Sequence, residues 1–341
     1  MKLLFITQKV DKNDDLLGFV HGWLSELAKH CQSITVICLG KGQYELPLNV
    51  KVLSLGKEQK KSRGQYIWRL YRYIWQERRD YDLVFVHMNQ EYVCLAGIIW
   101  KLLGKKIALW QNHPIGNFFT KIAVFLSDKI FCVSEFAYVA KYKKAILMPA
   151  GIDTDFFKKD YEIQKEMRSL LYLGRISPIK KIEVLINALQ ILKRKNIRFK
   201  AEVVGNCPAR DEKYYYGLQQ KASDMVLWRK GVPYLETPEI YNRFEVFINL
   251  TPTGSFDKTI LEAMACESLV LVSNRSYERK IGTRFTFLEN NADDLARKIE
   301  SLFSLNSQTK IDSGVQLRDY VVKNHSLAKL MDKLMQEFKN L

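Results

Sequence analysis

Short apolar runs alternate with segments of helical periodicity along the whole chain, a pattern typical of α/β proteins. The runs at Lys2–Thr7 and Ile34–Leu39 flank a helical pattern at Phe19–His30, which predicts a βαβ opening. Further buried strands are predicted at Leu83–His87, Ile107–Trp110, Ile130–Ser134, Ser169–Tyr172, Phe199–Gly205, Val246–Leu250 and Leu269–Ser273. Helices are predicted at Tyr92–Leu103, Phe118–Leu126, Ile182–Lys193, Tyr214–Ala222, Pro238–Arg243, Ile260–Ala265, Ala292–Leu305, Ser313–Asn324 and Ser326–Leu341. This order predicts doubly wound parallel sheets, which bind ligands beyond the carboxyl ends of their strands.

The segment Ile146–Phe157 divides the pattern into two halves. Its sequence, ILMPAGIDTDFF, contains a turn glycine at Gly151 and an aspartate at Asp153 that can tie a loop. The polar stretch Lys158–Glu166 follows and has the composition of a linker. A chain of 341 residues is long enough for two domains with separate cores. We therefore expect domains at 1–156 and 157–325, followed by a final helix at 326–341.

Composition narrows the class of protein. The chain is 47% hydrophobic and 12% aromatic, which predicts a globular protein. Six cysteines occur without a C-x-x-C pair and five histidines without H-E-x-x-H, so we expect no disulfide framework, no metal site and a reducing, cytoplasmic location. The sequence shows neither a signal peptide at Met1–Val10 nor a run of about 18 apolar residues, so no transmembrane helix is expected. The net charge of +16 predicts an anionic partner: nucleic acid, a phospholipid surface or a phosphorylated substrate.

The most informative stretch is Val246–Asn274, which predicts a strand, a loop, a helix and a second strand. A helix that begins directly after a strand directs its free N–H groups beyond the sheet edge, which is a natural site for an anion. Glu262 lies in this helix, and its carboxylate can accept hydrogen bonds from two adjacent hydroxyls, such as those of a ribose. The alternative is that Glu262 only interacts favourably with the helix dipole.

The sequence LEAMA at 261–265, followed by a short apolar strand, resembles the donor-binding motif of retaining GT-B glycosyltransferases of family 4. In that family two glutamates bracket seven residues; Glu262 matches the second, which holds the ribose, whereas Gly254 stands at the position of the first. The glycine that usually follows the helix is replaced by Cys266 and Glu267. Asp257 and Lys258 stand where the family has small or apolar residues, and we expect them to supply the missing polar contact.

A second part of the resemblance is Gly174-Arg175, a short loop and Lys180, although Lys181 replaces the usual glycine. Two cations at the carboxyl end of a strand suit a leaving diphosphate, because they neutralise the charge that develops as the glycosidic bond breaks. The resemblance also places His113, which follows a predicted strand, on the side of the donor sugar. The alternative for His113 is an ordinary loop histidine before a proline.

The resemblance implies further donor contacts. Gly18 is the one glycine that remains of the family's glycine-rich loop after the first strand, or else a plain turn glycine. Gly205 ends a predicted strand, and Val232 lies in the loop that the family places beside the nucleotide base. Backbone amides near Thr259 and Ile260 complete the expected phosphate site. No metal or other cofactor is implied.

The segment Gln65–Gln76 (QYIWRLYRYIWQ) lies in a basic region, 51–79, with nine Lys or Arg against two Glu. A helix here places large aromatic rings over much of its surface with arginines at the border. Such a helix can lie in a membrane interface through Trp68, Arg69, Arg72 and Trp75. The alternative is a core helix with a solvated basic side. The same alternatives, membrane-facing bulk or ordinary core, hold for Trp100, Phe118, Phe119 and Phe125.

The resemblance spans nearly the whole chain and is strongest over 146–273. It implies a GT-B fold of two Rossmann-like domains that face a cleft, with the last helix packed on the N-terminal domain. It implies a retaining, metal-independent glycosyltransferase that moves a sugar from a nucleotide-diphosphate sugar to a glycan or lipid-linked acceptor, in the cytoplasm or at the inner face of a bacterial membrane. The alternatives are a degenerate GT-B protein that binds a nucleotide or an anionic polymer without transfer, and, on charge alone, a nucleic-acid-binding protein, which we do not expect.

Overall fold

The computed structural model describes residues 1–254 and 256–341. The chain forms two compact units. The N-terminal unit contains Met1–Gly151, Pro233–Leu235 and Leu327–Leu341, and the C-terminal unit contains Ile152–Val232 and Glu236–Ser326. No helix of the described residues combines the length and the apolar character needed to cross a membrane.

The described part of the N-terminal unit contains a seven-stranded parallel sheet in the order β3-β2-β1-β4-β5-β6-β7. Its strands are β1 (Lys2–Val10), β2 (Ser33–Lys41), β3 (Val50–Ser54), β4 (Leu83–His87), β5 (Lys106–Trp110), β6 (Lys129–Cys132) and β7 (Ala145–Leu147). Its helices are α1 (Phe19–Ala28), α2 (Arg63–Gln76), α3 (Gln90–Leu102), α4 (Phe118–Leu126) and, at the end of the chain, α12 (Leu327–Lys339).

The two faces of this sheet are covered by different helices, because successive strand residues point to opposite sides. One face includes Phe85, whose ring packs at 5.4 Å from that of Phe338 in α12. On the same helix, Glu337 forms an ion pair with Lys129 at 2.7 Å. The other face includes Val84, which shares a buried cluster with residues of α2, α3 and α4. The closing helix therefore belongs to the N-terminal unit, as the resemblance implies.

The described part of the C-terminal unit contains a five-stranded parallel sheet in the order β10-β9-β8-β11-β12. Its strands are β8 (Glu166–Leu173), β9 (Lys200–Val204), β10 (Leu227–Arg229), β11 (Phe244–Asn249) and β12 (Leu269–Val272). Its helices are α5 (Ile182–Arg194), α6 (Glu212–Ala222), α7 (Thr237–Arg243), α8 (Lys258–Ala265), α9 (Glu278–Ile281), α10 (Ala292–Phe303) and α11 (Ser307–His325). The sequence-based expectation of two doubly wound α/β domains is confirmed.

Some predicted boundaries are wrong. The strand predicted to end at Thr7 continues to Val10, because Val10 still pairs with Lys41 of β2. The helix predicted to begin at Ser313 begins at Ser307, where Asn306 caps it. The edge strands β3 and β7 are missing from the sequence analysis. Neither edge strand buries an alternating apolar face, so neither has a clear strand pattern.

Candidate functional site

Helix α8 begins just beyond the carboxyl end of β11, and Asp257 is its N-cap. Asp257 Oδ1 accepts hydrogen bonds from the backbone N of Thr259 at 3.3 Å and from its Oγ1 at 2.8 Å. The helix sequence KTILEAMA consists mostly of strong helix formers, so a single polar cap is enough to fix where it starts. The remaining N–H groups of the first turn point beyond the sheet edge, which favours an anionic ligand there.

Lys180 is joined to this helix start by an ion pair. Its Nζ lies 2.6 Å from Asp257 Oδ2 and donates to Thr251 Oγ1 at 3.1 Å. Asp257 Oδ2 also accepts from Thr251 Oγ1 at 2.9 Å and from Asn249 Nδ2 at 3.2 Å. Burial works against ionisation of Asp257, but the charge and hydrogen bond of Lys180 prevail and hold the pKa of this carboxyl well below its ordinary value. We call Asn249, Thr251, Asp257, Thr259 and Lys180 the Lys180 cluster.

Three backbone conformations explain departures from the family pattern. Gly254 has a φ of +96°, a region that residues with a side chain rarely adopt, so the absence of a glutamate there agrees with the local backbone. Lys181 replaces one family glycine and Glu267 belongs to the Cys266-Glu267 pair that replaces another; both adopt a left-handed conformation, with φ of +53° and +56°. The chain thus keeps the backbone shape of glycine at two positions despite carrying side chains there, at a cost of roughly 1 kcal/mol each.

Arg175 lies in the loop between β8 and α5, five residues before Lys180. Its backbone O accepts a hydrogen bond from the hydroxyl of Tyr172 at 2.9 Å, which ties the loop to the buried end of β8. The Arg175 side chain is exposed. Within the described residues its guanidinium forms no hydrogen bond or ion pair, so it is available to a ligand with phosphate groups.

The loop after β9 approaches this loop closely. A Cβ at Gly205 would lie 1.9 Å from the backbone O of Gly174, so only glycine fits at 205. After β10, the backbone N of Gly231 donates to Asn206 Oδ1 at 3.1 Å, which anchors the residue that precedes Val232. The predicted donor residues Gly205 and Val232 therefore lie in adjoining loops at the carboxyl ends of neighbouring strands.

Glu262 is nearly enclosed, with 5% of its surface exposed. The hydroxyl of the buried Tyr241 in α7 donates to Glu262 Oε2 at 3.2 Å. Burial raises the pKa of Glu262, while the positive charge of Lys258, one helical turn earlier, opposes this shift. Burial lowers the pKa of Lys258 in turn. Ile260 is fully buried.

The other predicted site residues belong to the N-terminal unit. Gly18 immediately precedes α1. His113 follows β5 and is exposed; its Nδ1 lies 3.0 Å from the backbone N of Ile115, and its Nε2 has no hydrogen-bond partner in residues 1–254 or 256–341. His87, the last residue of β4, is a core residue, 2% exposed, with its Nδ1 3.3 Å from Thr7 Oγ1.

The residues predicted to face a membrane lie on α2. Trp68 and Trp75 are each 60% exposed. The Arg72 guanidinium lies 5.3 Å from the centre of the Trp68 ring. The guanidinium of Arg69 is directed toward Leu55 and Gln59 instead. It donates to the backbone O of Leu55 and to the side chain of Gln59, both at 3.3 Å.

The structure joins Lys180 and Thr259 through Asp257, although Lys180 lies in the loop before α5 and Thr259 lies in the first turn of α8. The sequence analysis missed Asn249 and Thr251, whose signal was a polar Asn-Leu-Thr end on an otherwise apolar strand. It also missed Tyr241, for which the sequence holds no signal. In the described residues, no group of three or more His, Cys, Asp or Glu is arranged to hold a metal ion.

Part of the chain matches a known protein family. The profile of the family described as "Glycosyl transferases group 1" matches residues 153–324, about half of the chain. This range includes the whole Lys180 cluster together with Arg175 and Glu262. No curated protein matches the sequence.

Several solved structures share the fold over the full chain. Anabaena Alr3699/HepE, in complex with UDP and glucose, is 16% identical with a TM-score of 0.79, and the match covers 100% of both chains. A glycosyltransferase from Rickettsia africae is 18% identical with a TM-score of 0.76, over 100% of this chain and 99% of that one. Sucrose-phosphate synthase from Thermosynechococcus elongatus is 14% identical with a TM-score of 0.76, with the same coverage. The chain therefore has the fold of the GT-B glycosyltransferases.

Proposed function

Because the chain belongs to the family of glycosyl transferases group 1, we propose that it transfers a sugar from a nucleotide-diphosphate sugar to an acceptor hydroxyl. The observation that carries this proposal is the meeting of Lys180, Asp257 and Thr259 at the start of α8. There, a lysine ammonium group and the amide groups of a helix start converge at the carboxyl end of β11. A diphosphate is an anion that both features favour.

We assign the diphosphate to Arg175 and Lys180. Arg175 offers a guanidinium without a partner in the described residues, and planar guanidinium groups bind phosphate oxygens in pairs. Lys180 is held by Asp257 and Thr251, which fixes its ammonium group at the start of α8. Two cations balance the charge that develops on the leaving diphosphate, so the chemistry requires no metal ion.

We assign the ribose of the donor to Glu262. Tyr241 holds Oε2 of this carboxylate through a hydrogen bond. A carboxylate fixed in this way has a defined orientation toward the two hydroxyls of a ribose. The nucleotide base lies, in this proposal, beside the loops that contain Gly205 and Val232.

We propose that transfer proceeds with retention of configuration at the anomeric carbon. The bond from the anomeric carbon to the phosphate oxygen breaks while the acceptor oxygen bonds to the same face of that carbon. The acceptor's proton passes to the oxygen of the leaving diphosphate. His113, whose Nε2 has no partner in the described residues, is assigned to the donor sugar. Arg175 and Lys180 stabilise the transition state by balancing the negative charge that develops on the diphosphate.

The acceptor is, in this proposal, a glycan or a lipid-linked sugar in bacterial surface polysaccharide or glycolipid synthesis, at the inner face of a membrane. The net charge of +16 supports an anionic surface or acceptor. Anabaena Alr3699/HepE binds UDP and UDP-glucose, so uridine diphosphate sugars are the first donors to test.

Gly254 favours a second candidate function. The residue that would contact the donor sugar in the family has no side chain here, and its φ of +96° disfavours one. A protein that binds a nucleotide without transferring a sugar fits this feature.

The release of nucleoside diphosphate from a panel of nucleotide sugars separates the two functions. We expect turnover with at least one donor in the presence of EDTA. In Lys180→Ala, kcat should fall by about 10²-fold or more, which is the scale observed when one group that stabilises transition-state charge is removed. Lys193→Ala removes an exposed lysine that is paired with Asp224 in the same unit, and should leave turnover unchanged. Nucleotide binding without any turnover would favour the second candidate.

A further inference from the structure

Three neighbouring helices of the N-terminal unit, α2, α3 and α4, pack side by side on one face of the sheet. The hydroxyl of Tyr71 in α2 donates to the backbone O of Leu95 in α3 at 2.9 Å. The Sγ of Cys94 in α3 lies 3.3 Å from the backbone O of Phe119 at the start of α4. Their inward sides share one buried cluster that contains Leu70, Ile74, Val93, Ala96, Trp100 and Ala123. The core interpretation of Trp100 is therefore correct.

The outward sides of the same helices carry large apolar residues. Each helix presents a triplet at positions i, i+3 or i+4, and i+7, which lie above one another on one side of a helix. The triplets are Trp68, Arg72 and Trp75 on α2; Leu95, Ile98 and Leu102 on α3; and Phe118, Ile122 and Phe125 on α4. We call these nine residues the docking face.

The docking face is exposed to an extent that is unusual for apolar side chains. Leu102 and Phe125 are 83% and 81% exposed, and Phe118 and Ile98 are 70% and 63% exposed. The outer side of a helix in a soluble domain is normally polar. Single exposed apolar residues need no explanation, but a contiguous patch on three adjacent helices marks a surface that something covers. The interpretation of the α4 phenylalanines as ordinary core is wrong for this reason.

The charge of the three helices indicates what covers them. They contain five basic residues against one acidic residue, Glu91, which gives a net charge of +4. The basic residues are Arg63, Arg69, Arg72, Lys101 and Lys121. Just after α2, the Arg78 guanidinium lies 4.3 Å from the centre of the Trp75 ring. Arg72 lies over the Trp68 ring in a similar way. Arginine beside tryptophan suits the headgroup level of a bilayer, where rings enter the interface and cations meet lipid phosphates.

We propose that the docking face binds the surface of a membrane that contains anionic lipids. Its aromatic and aliphatic side chains enter the interface, and Arg72 and Lys121 meet the headgroup phosphates. A symmetric dimer through the same face would bring two such basic surfaces together, which like-charge repulsion disfavours. The proposal uses no residue of the nucleotide site, so it does not depend on the glycosyltransferase activity.

Vesicle flotation of the full chain tests the proposal, with phosphatidylcholine vesicles compared with phosphatidylcholine–phosphatidylglycerol vesicles. We expect the protein to float with the anionic vesicles and to dissociate as salt is added. The double variant Leu102→Ser/Phe125→Ser should bind at least about tenfold more weakly, because the two side chains together contribute more than the ~1.4 kcal/mol that corresponds to tenfold. Arg72→Gln should weaken binding about fivefold, the effect of one basic residue near an anionic surface.

The matched control is Leu288→Ser/Ile311→Ser, which removes two exposed apolar residues of the C-terminal unit, 53% and 57% exposed. We expect it to bind vesicles like the wild type. Both double variants should keep the wild-type unfolding temperature, because neither removes a buried side chain.

Several outcomes would overturn the proposal. No flotation with anionic vesicles would do so, as would equal flotation of the wild type and Leu102→Ser/Phe125→Ser. Flotation that is the same with both lipid compositions and insensitive to salt would exclude recognition of anionic lipid. A dimer in analytical ultracentrifugation that is lost in Leu102→Ser/Phe125→Ser, without vesicle binding, would assign the face to a second copy of the chain instead.

Discussion

Replacement of Asp257 tests the Lys180 cluster through the stability of the protein. Asp257→Ala removes the N-cap of α8, which typically contributes about 1 kcal/mol. It also breaks the ion pair with Lys180; loss of one partner of a buried pair costs ~3–5 kcal/mol. Here the lower end applies, because the side chain of Lys180 is 24% exposed and can turn to solvent. We expect the free energy of unfolding to fall by about 4 kcal/mol in total.

Asp257→Asn removes the negative charge of residue 257 but keeps a side-chain oxygen that can cap α8. The amide oxygen can still accept from Thr259, so helix α8 keeps its N-cap, whereas the charge that holds Lys180 is gone. We expect a loss of about 1.5–3 kcal/mol, which is the range for a hydrogen bond to a charged group. The measurement is urea-induced unfolding followed by circular dichroism. The control is Asp224→Ala, which removes an exposed partner of Lys193, 74% exposed, and should leave the free energy of unfolding like that of the wild type.

The pH dependence follows from the lowered pKa of Asp257. A carboxyl whose folded pKa lies below its unfolded value stabilises the protein above the unfolded value, about 3.9. This contribution is lost as the pH falls through about 4 toward the folded pKa. The difference in stability between the wild type and Asp257→Asn should therefore be full at pH 7 and smaller at pH 3. If Asp257→Ala unfolds within about 0.5 kcal/mol of the wild type at pH 7, the cluster does not form as described.

Three further predictions concern other positions. Lys181→Gly and Glu267→Gly should each raise the free energy of unfolding by about 0.5–1 kcal/mol in urea unfolding, because glycine adopts a left-handed backbone without strain; a loss in both would contradict the strain argument. Burial lowers the pKa of Lys165 to about 8, so protonation of Lys165 is less favourable in the folded state than in the unfolded state. Lys165→Met should therefore be more stable than the wild type by ~1–3 kcal/mol at pH 7. This difference in the free energy of unfolding should shrink as the pH rises from 8 to above 10. His113→Ala should lower kcat about tenfold with unchanged affinity for nucleoside diphosphate, since we assign His113 to the sugar alone; a calorimetric titration that shows weaker nucleotide binding would refute this assignment.

The sequence predicts helices and strands well where buried positions recur at a regular spacing. Leu83–His87 and Phe118–Leu126 have the same bounds in the prediction and in the structure, because a fully buried strand and an apolar-rich helix both leave clear patterns. Val50–Ser54 is missed because this edge strand is only partly buried and includes Lys51. Periodicity also does not tell which apolar side faces the core, so Phe118 and Phe125 could not be distinguished in advance from buried residues.

The site is less predictable than the fold, since its contacts join distant segments. Lys180 and Asp257 are each expected from the family pattern, but their ion pair joins positions 77 residues apart. The hydrogen bond from Tyr241 to Glu262, which the sequence analysis does not predict, joins α7 to α8. That contact depends on how α7 packs beside α8, which no local pattern encodes.

The central claim, that Arg175, Lys180 and Glu262 form the nucleotide-diphosphate site, is tested most directly by calorimetric titration of nucleoside diphosphates into the wild type and three variants. We expect the wild type to bind one of them, with UDP as the first to try. Arg175→Ala and Lys180→Ala should bind it ~10–100-fold more weakly, since a hydrogen bond to a charged group contributes ~1.5–3 kcal/mol. Glu262→Ala should lose the preference for a ribose over a deoxyribose nucleotide, and the control Lys193→Ala should bind like the wild type. Equal affinities in the wild type, Arg175→Ala and Lys180→Ala, or no binding of any nucleoside diphosphate by the wild type, would contradict the assignment of this site.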